Sequence, residues 1–306
     1  MTGAPRRLAL DALMVCWGLG TWLGVNGLYV QLPLLVLRLP EQWKLPASMA
    51  LAVQAANVGM LAYWGARRLA PRVPDAAYVL ALLAIGTAAL ALNAFLYPRT
   101  ALVGSTERSV AFLALTFFAA LVGCTSSVLF YPYLRHFRDV YLTTYLVGEG
   151  LSGFLPALLA LAQGVSGEPE CVADEGGALG PVYPPARFGT AAFLLALAAL
   201  SALSLASFAA LSRARAFPGE RVAAAAAGKA AEAAPRVALA SARWLAVLAL
   251  MAVLNALMNG VLPSVQSYSC MPYGTRAYHL AVTLGAMANP AYAFLHVPHC
   301  NLHLSL

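Results

Sequence analysis

The sequence predicts an all-α fold, a polytopic bundle of transmembrane helices with about eight spans. Of its 306 residues, 61% are hydrophobic and only 10% are charged, whereas a soluble domain carries about a quarter charged residues. Eight apolar runs reach the ~20 residues that cross the hydrocarbon layer of a bilayer. Each run must be a helix, because lipid offers no partners for free backbone groups. The runs are 8–30, 46–66, 76–97, 109–131, 142–163, 188–211, 244–263 and 277–297.

The first run is predicted to be an uncleaved span with an irregular second half. It follows Arg6 and Arg7 like a signal peptide, but it is too long for one and shows no clear cleavage site. Its second half, "GVNGLYVQLPLLV", carries the amides Asn26 and Gln31 and the helix-breaking Pro33. Such amides mark either helix–helix hydrogen bonds or a polar path, so this half should face the protein interior.

The same combination of amides and helix breakers recurs later in the chain. In the second run Gln54 and Asn57 are three residues apart, and therefore share one helix face. In the seventh run Asn259-Gly260 is followed by Pro263 and Gln266, much as Asn26-Gly27 is followed by Pro33. Interrupted spans at corresponding places in two halves of a chain are a pointer to a transporter binding site.

Glu149, in "LVGEGLSG", is the only acid deep within an apolar run. A carboxylate there is costly unless it is paired, protonated or used in transport. A structural pair with a basic residue such as Arg135 and a role in transport both remain open. No Ser/His/acid arrangement, nucleotide loop, paired carboxylates or zinc-like spacing occurs, so we expect no enzyme, no cofactor and no metal site.

The basic residues are distributed unevenly between the two sides of the predicted bundle. Of 19 Lys and Arg residues, 13 fall on the side of the N-terminus, which places the N-terminus in the cytoplasm. This bias explains the net charge of +7 without nucleic acid, and no basic cluster interleaves with aromatic residues. We therefore expect the lipid bilayer, and no nucleic acid, as a partner.

The chain divides into three parts. Residues 1–211 form a predicted six-span bundle, 212–242 an alanine-rich cytoplasmic linker, and 243–306 the first two spans of an incomplete second bundle. Cys171 and Cys270 fall in loops on the outer, oxidising side, where they could form a disulfide or remain two unpaired thiols.

Three long segments resemble the vertebrate riboflavin transporters of the solute carrier class. They are "GTWLGVNGLYVQLPLLVLRLPEQWKLPASMALAVQAANVG", "YLTTYLVGEGLSGFLPALLALAQG" and "NGVLPSVQSYSCMPYGTRAYHLAVTLGAMANP". The resemblance implies a plasma-membrane carrier that takes up riboflavin by alternating access. Riboflavin presents an imide edge that amides can match and a flat ring that stacks on aromatic side chains. The predicted substrate-binding residues are Trp22, Asn26, Gln31, Gln54, Asn57, Tyr145, Glu149, Asn259, Gln266 and Tyr278.

The sequence departs from this family in two respects. Gln31 stands in "VQLP", where the family has Glu, so the charge is lost and hydrogen bonding is kept. The family has about eleven spans, whereas this chain has eight apolar runs and a tail that diverges from His296. The alternative interpretation is therefore a truncated, non-transporting form or an incomplete gene model, which could associate with the full-length transporter.

Overall fold

The fold is all-α, as the sequence predicts. The computed structural model describes residues 7–164, 170–173, 179–182, 186–213 and 241–288. Its helices are α1 (Leu8–Leu19), α2 (Leu23–Val30), α3 (Leu32–Leu35), α4 (Leu45–Ala55), α5 (Val58–Leu69), α6 (Asp75–Leu96), α7 (Val110–Leu134), α8 (Val140–Gln163), α9 (Thr190–Arg213), α10 (Ala242–Ala256), α11 (Leu262–Cys270) and α12 (275–288). Two antiparallel hairpins connect helices: β1 (Ala101–Val103) with β2 (Thr106–Arg108), and β3 (Glu170–Ala173) with β4 (Leu179–Val182).

The described residues contain six helices long and apolar enough to cross a membrane, or seven if the bent pair α1–α2 is one span. With that pair counted as one span, the seven spans coincide with the first seven apolar runs. The eighth run, 277–297, begins within α12, but its residues from 289 onward lie outside the described part of the chain. Residues 214–240, most of the predicted linker, also lie outside it, so the three-part division stays a prediction.

Three of the spans are interrupted. The α1–α2 pair bends by 52°, and α4 gives way to α5 at residues 56–57. Between α10 and α11 the chain forms a π-turn, Leu257–Val261. Such irregular backbone at membrane depth is tolerated only inside the protein or along a cavity, and π-turns of this kind are frequent at functional sites.

The break between α1 and α2 was not predicted, whereas the end of α2 at Val30 and the turn at Gln31 agree with the position of Pro33. At the break, the hydroxyl of Ser204 in α9 donates a 2.8 Å hydrogen bond to the carbonyl oxygen of Trp17. Gly20 lies so close to Ser204 that a Cβ there would be 2.2 Å from its Oγ. Contact with α9 therefore accompanies the bend.

The first six spans form one bundle. The helix α1 packs against α8 and α9, α6 packs against both α7 and α9, and α4 packs against α7. The α1–α8 crossing is very close: a Cβ on Gly18 would meet the carbonyl oxygen of Tyr145 at 2.2 Å, and one on Gly148 would meet that of Val15 at 2.1 Å. Glycine at both positions is thus what allows the two backbones to touch, and it fixes Glu149 beside α1.

The helices after residue 241 join this bundle through α11 and α12, and α12 places Tyr278 and Val282 in its apolar core. The helix α11 packs on α4, whereas no residue in the most apolar window of the span that begins with α10 is buried. At the end of the bundle opposite the N-terminus, the Ser267 hydroxyl donates a 2.7 Å hydrogen bond to the Trp43 carbonyl oxygen. The rings of Trp43 and Tyr268 meet there edge to face, with centroids 5.8 Å apart.

Candidate transport cavity

A cavity of about 1350 Å³ lies between the first bundle and the helices α10–α12. All three interrupted spans contribute to its wall, through Trp22, Gln54, Asn57 and Asn259 among others. The predicted residues that line it are Trp22, Asn26, Gln54, Asn57, Glu149, Asn259 and Gln266. Among the described residues of this wall, Glu149 is the only charged one.

Four amides form a hydrogen-bonded group, the amide cluster, at two of the helix breaks: Gln54, Asn57, Asn255 and Asn259. The Asn57 side chain donates to both the carbonyl oxygen and the Oε1 of Gln54, at 3.0 and 3.1 Å. The Gln54 side chain in turn donates across the cavity to the carbonyl oxygen of Asn259, at 3.2 Å. Within the π-turn, Asn259 donates to Asn255 Oδ1 at 3.3 Å. The cluster therefore links the two halves at the cavity and offers donors and acceptors in close succession.

A second polar group, the carboxylate cluster, comprises Asn26, Tyr131, Glu149 and Ser152. The Tyr131 hydroxyl donates to Glu149 Oε2 at 2.8 Å. Asn26 Nδ2 donates to Ser152 Oγ at 3.4 Å, and that hydroxyl donates to the Glu149 carbonyl oxygen at 2.6 Å. The suggested pairing of Glu149 with Arg135 is wrong for the described residues, because the partner of the carboxylate is the phenol one helix away.

Aromatic side chains cover part of the cavity wall. Trp22 follows the α1–α2 bend, and its ring lies against Gly123 of α7, where a Cβ would be 2.6 Å from Trp22 Cε3. Tyr29, about two helical turns further along α2, also lines the cavity, and its buried hydroxyl has no hydrogen-bond partner among the described residues. These two rings supply a flat apolar surface next to the amides.

Three of the predicted substrate-binding residues lie outside this wall. Gln31 is buried and donates a 2.5 Å hydrogen bond to Gln163 Oε1. The Tyr145 hydroxyl pairs with Thr21 Oγ1 at 3.0 Å, and Tyr278 is fully buried in the apolar core. Their assignment to substrate binding stays a prediction, and the structure adds packing contacts that explain their burial.

The sequence analysis did not assign four residues that belong to the site. Tyr29, Ser152 and Asn255 line the cavity, and Tyr131 orients Glu149. A signal existed for two of them: Ser152 follows Glu149 by three residues and Asn255 precedes Asn259 by four, so each shares a helix face with an assigned residue. The Cys171 side chain lies outside the described part of the chain, so its pairing with Cys270 stays a prediction.

A bundle of apolar helices with a polar cavity at three interrupted spans defines a membrane transport protein. The chain matches the family model described as "Solute carrier family 52, riboflavin transporter" over residues 6–235 and 219–304. The chain therefore belongs to the riboflavin transporter family of solute carriers.

Its relatives agree with this assignment. Over 93% of its length the chain is 38% identical to solute carrier family 52, riboflavin transporter, member 3 of Bos taurus, of which it covers 74%. It is 39% identical over 95% of its length to member 2 of Homo sapiens and 38% identical over 94% to member 1, and it covers 72% of each. No solved structure matches the chain.

Proposed function

We propose that this chain is a plasma-membrane carrier that takes riboflavin into cells by alternating access. The observation that carries the proposal is the convergence of three interrupted spans on one cavity lined by amides, aromatic rings and a single acid. Discontinuous helices that meet near the membrane midplane are the common construction of substrate sites in secondary transporters. Membership in the riboflavin transporter family supplies the substrate.

The cavity chemistry suits riboflavin. The flavin ring is flat and largely apolar, and its imide edge both donates and accepts hydrogen bonds, so it needs side chains that can do the same. Gln54 and Asn57 are such side chains, and Trp22 offers a ring for stacking. The molecule is neutral at pH 7, which fits a wall without basic residues among those described.

The contacts between the two halves support alternating access. The halves meet at the end opposite the N-terminus through Trp43, Ser267 and Tyr268, while α10 is unpacked along its length. With the N-terminus in the cytoplasm, as the distribution of basic residues predicts, this arrangement is closed to the outside. Transport then requires the Trp43 contacts to open and the α10 side to close.

The proposal is tested by uptake of labelled riboflavin into cells that express the chain at a measured surface level. We expect saturable uptake that unlabelled riboflavin suppresses, and an N-terminal tag that antibody reaches only after permeabilisation. Trp22→Ala should reduce uptake, whereas the control Trp64→Ala should not, because Trp64 is 57% exposed and lies outside the cavity wall. Absence of saturable uptake at normal surface level would contradict the proposal.

A further inference from the structure

We infer that Glu149 makes the cavity selective for the neutral hydroxylated flavin and excludes its phosphate ester. The inference rests on the proposed function and adds the residue that sets its specificity. It assigns to the carboxylate cluster the part of the ligand that carries hydroxyl groups, and to Glu149 the rejection of ligands that carry negative charge.

The charge of the cavity wall is one-sided. Glu149 is the only charged residue among its described residues, and no Lys, Arg or His is among them. Sites that bind phosphate esters commonly present Arg or Lys side chains to the anion. A phosphate monoester carries about −1.5 to −2 charges at pH 7. In this wall it would meet a carboxylate and no basic side chain among the described residues.

The carboxylate is held so that one of its oxygens is available to a ligand. Oε2 accepts the hydrogen bond of the Tyr131 hydroxyl at 2.8 Å. Oε1 accepts no hydrogen bond from a described residue, and the Glu149 side chain is part of the cavity wall. An ionised carboxylate oxygen is a strong acceptor for a hydroxyl group.

The neighbours of Glu149 extend this surface for a polyol. Ser152, one helical turn away, and Asn26, which donates to it, both line the cavity. Hydroxyl, amide and carboxylate side chains together match a chain of hydroxyl groups, each of which both donates and accepts. The amide cluster contains no charged side chain, and the inference assigns to it the imide edge of the flavin ring.

The test is a competition measurement on the purified full chain, in which binding of radiolabelled riboflavin is followed in the presence of unlabelled competitors. For the wild type we expect the 5′-phosphate ester to bind at least about tenfold more weakly than riboflavin, a ratio that corresponds to about 1.4 kcal/mol. Glu149→Gln should reduce this ratio at least about threefold, because the amide is nearly isosteric and uncharged. The control Glu107→Gln should leave the ratio unchanged, because Glu107 is an exposed acid of β2 outside the cavity.

A second measurement needs no variant and so does not depend on the folding of Glu149→Gln. The 5′-acetate ester of riboflavin adds bulk at the same position without charge, and it should compete with riboflavin on the wild type far better than the phosphate ester does. Equal rejection of both esters, or an unchanged ratio in Glu149→Gln, would overturn the inference while leaving riboflavin transport intact. A wild-type chain that binds no riboflavin would instead refute the proposed function itself.

Discussion

Gly123→Ala should weaken riboflavin transport by moving Trp22, although residue 123 contributes no side chain to the cavity. A Cβ at this position would lie 2.6 Å from Trp22 Cε3 and 2.9 Å from both Cδ2 and Cζ3. Carbon atoms in favourable contact are about 3.5–4.0 Å apart, so the ring must move by about 1 Å. Because the Trp22 ring both contacts Gly123 and lines the cavity, its displacement changes the surface that the substrate meets.

The size of the effect follows from the clash. An added methyl group in a packed contact costs about 1–3 kcal/mol, and if the cost appears in substrate binding it raises KM by a factor of roughly 5 to 150. Initial uptake rates at several riboflavin concentrations, normalised to surface-labelled protein, give KM directly. The matched control is Gly65→Ala, because a Cβ at Gly65 meets nothing within 4 Å.

A double variant separates displacement of the ring from a general loss of stability. In the Trp22→Ala background there is no ring to displace, so Gly123→Ala should add no further increase in KM. If Gly123→Ala and Gly65→Ala give the same KM as the wild type at equal surface level, Trp22 is not part of the substrate wall. If Gly123→Ala is equally harmful with and without Trp22, the harm arises elsewhere in α7.

Three further variants test other contacts of the structure. Asn26→Ala removes the amide that donates to Ser152 at 3.4 Å. At an unchanged surface level it should weaken substrate binding by roughly 1–3 kcal/mol, which raises KM by a factor of roughly 5 to 150. An unchanged KM would exclude Asn26 from the site. Glu41→Ala removes a carboxylate that is only 6% exposed and accepts hydrogen bonds of 2.6 and 2.7 Å from the backbone N–H and hydroxyl of Ser109. The free energy of unfolding should fall by about 1–3 kcal/mol, and the purified variant should unfold at a lower temperature than the wild type. An unchanged unfolding temperature would contradict a stabilising role for this buried carboxylate. In a Cys270→Ser background, a short bifunctional thiol reagent should cross-link the double variant Trp43→Cys/Ser267→Cys and arrest uptake, whereas neither single variant should respond. Uptake that survives a complete cross-link would show that these residues need not separate.

The spans were predictable from the sequence because their cause is local. A run of about 20 apolar residues must be a helix in lipid whatever its neighbours are. A polar role for Gln54 and Asn259 was predictable for the same reason, since an amide in such a run is costly unless it finds a polar partner or lines a polar path. Their direct hydrogen bond, however, joins residues 205 positions apart, and no sequence period encodes which distant helix meets which.

Two of the predicted substrate-binding residues have partners that the sequence could not reveal, and their assignment to substrate binding stays a prediction. Gln31 donates to an amide partner, Gln163, that lies 132 residues away. Tyr145 is an aromatic residue with a polar tip, which suits either a stacking surface or a packed core; its contact with Thr21 and Trp17 places it in the core. The bend before α2 could not be predicted from a proline, because none lies there. It accompanies a contact of Gly20 with Ser204 of α9.

The most direct test of the central claim is counterflow in proteoliposomes that contain the purified chain. A carrier with one cavity exposed alternately to the two sides must exchange substrate, so vesicles preloaded with unlabelled riboflavin should accumulate labelled riboflavin transiently above its external concentration. Trp22→Ala should reduce this overshoot, and Trp64→Ala should not. An overshoot that depends on the preload would support a riboflavin carrier that works through this cavity. Riboflavin binding without any counterflow, in vesicles shown to hold folded protein, would contradict it.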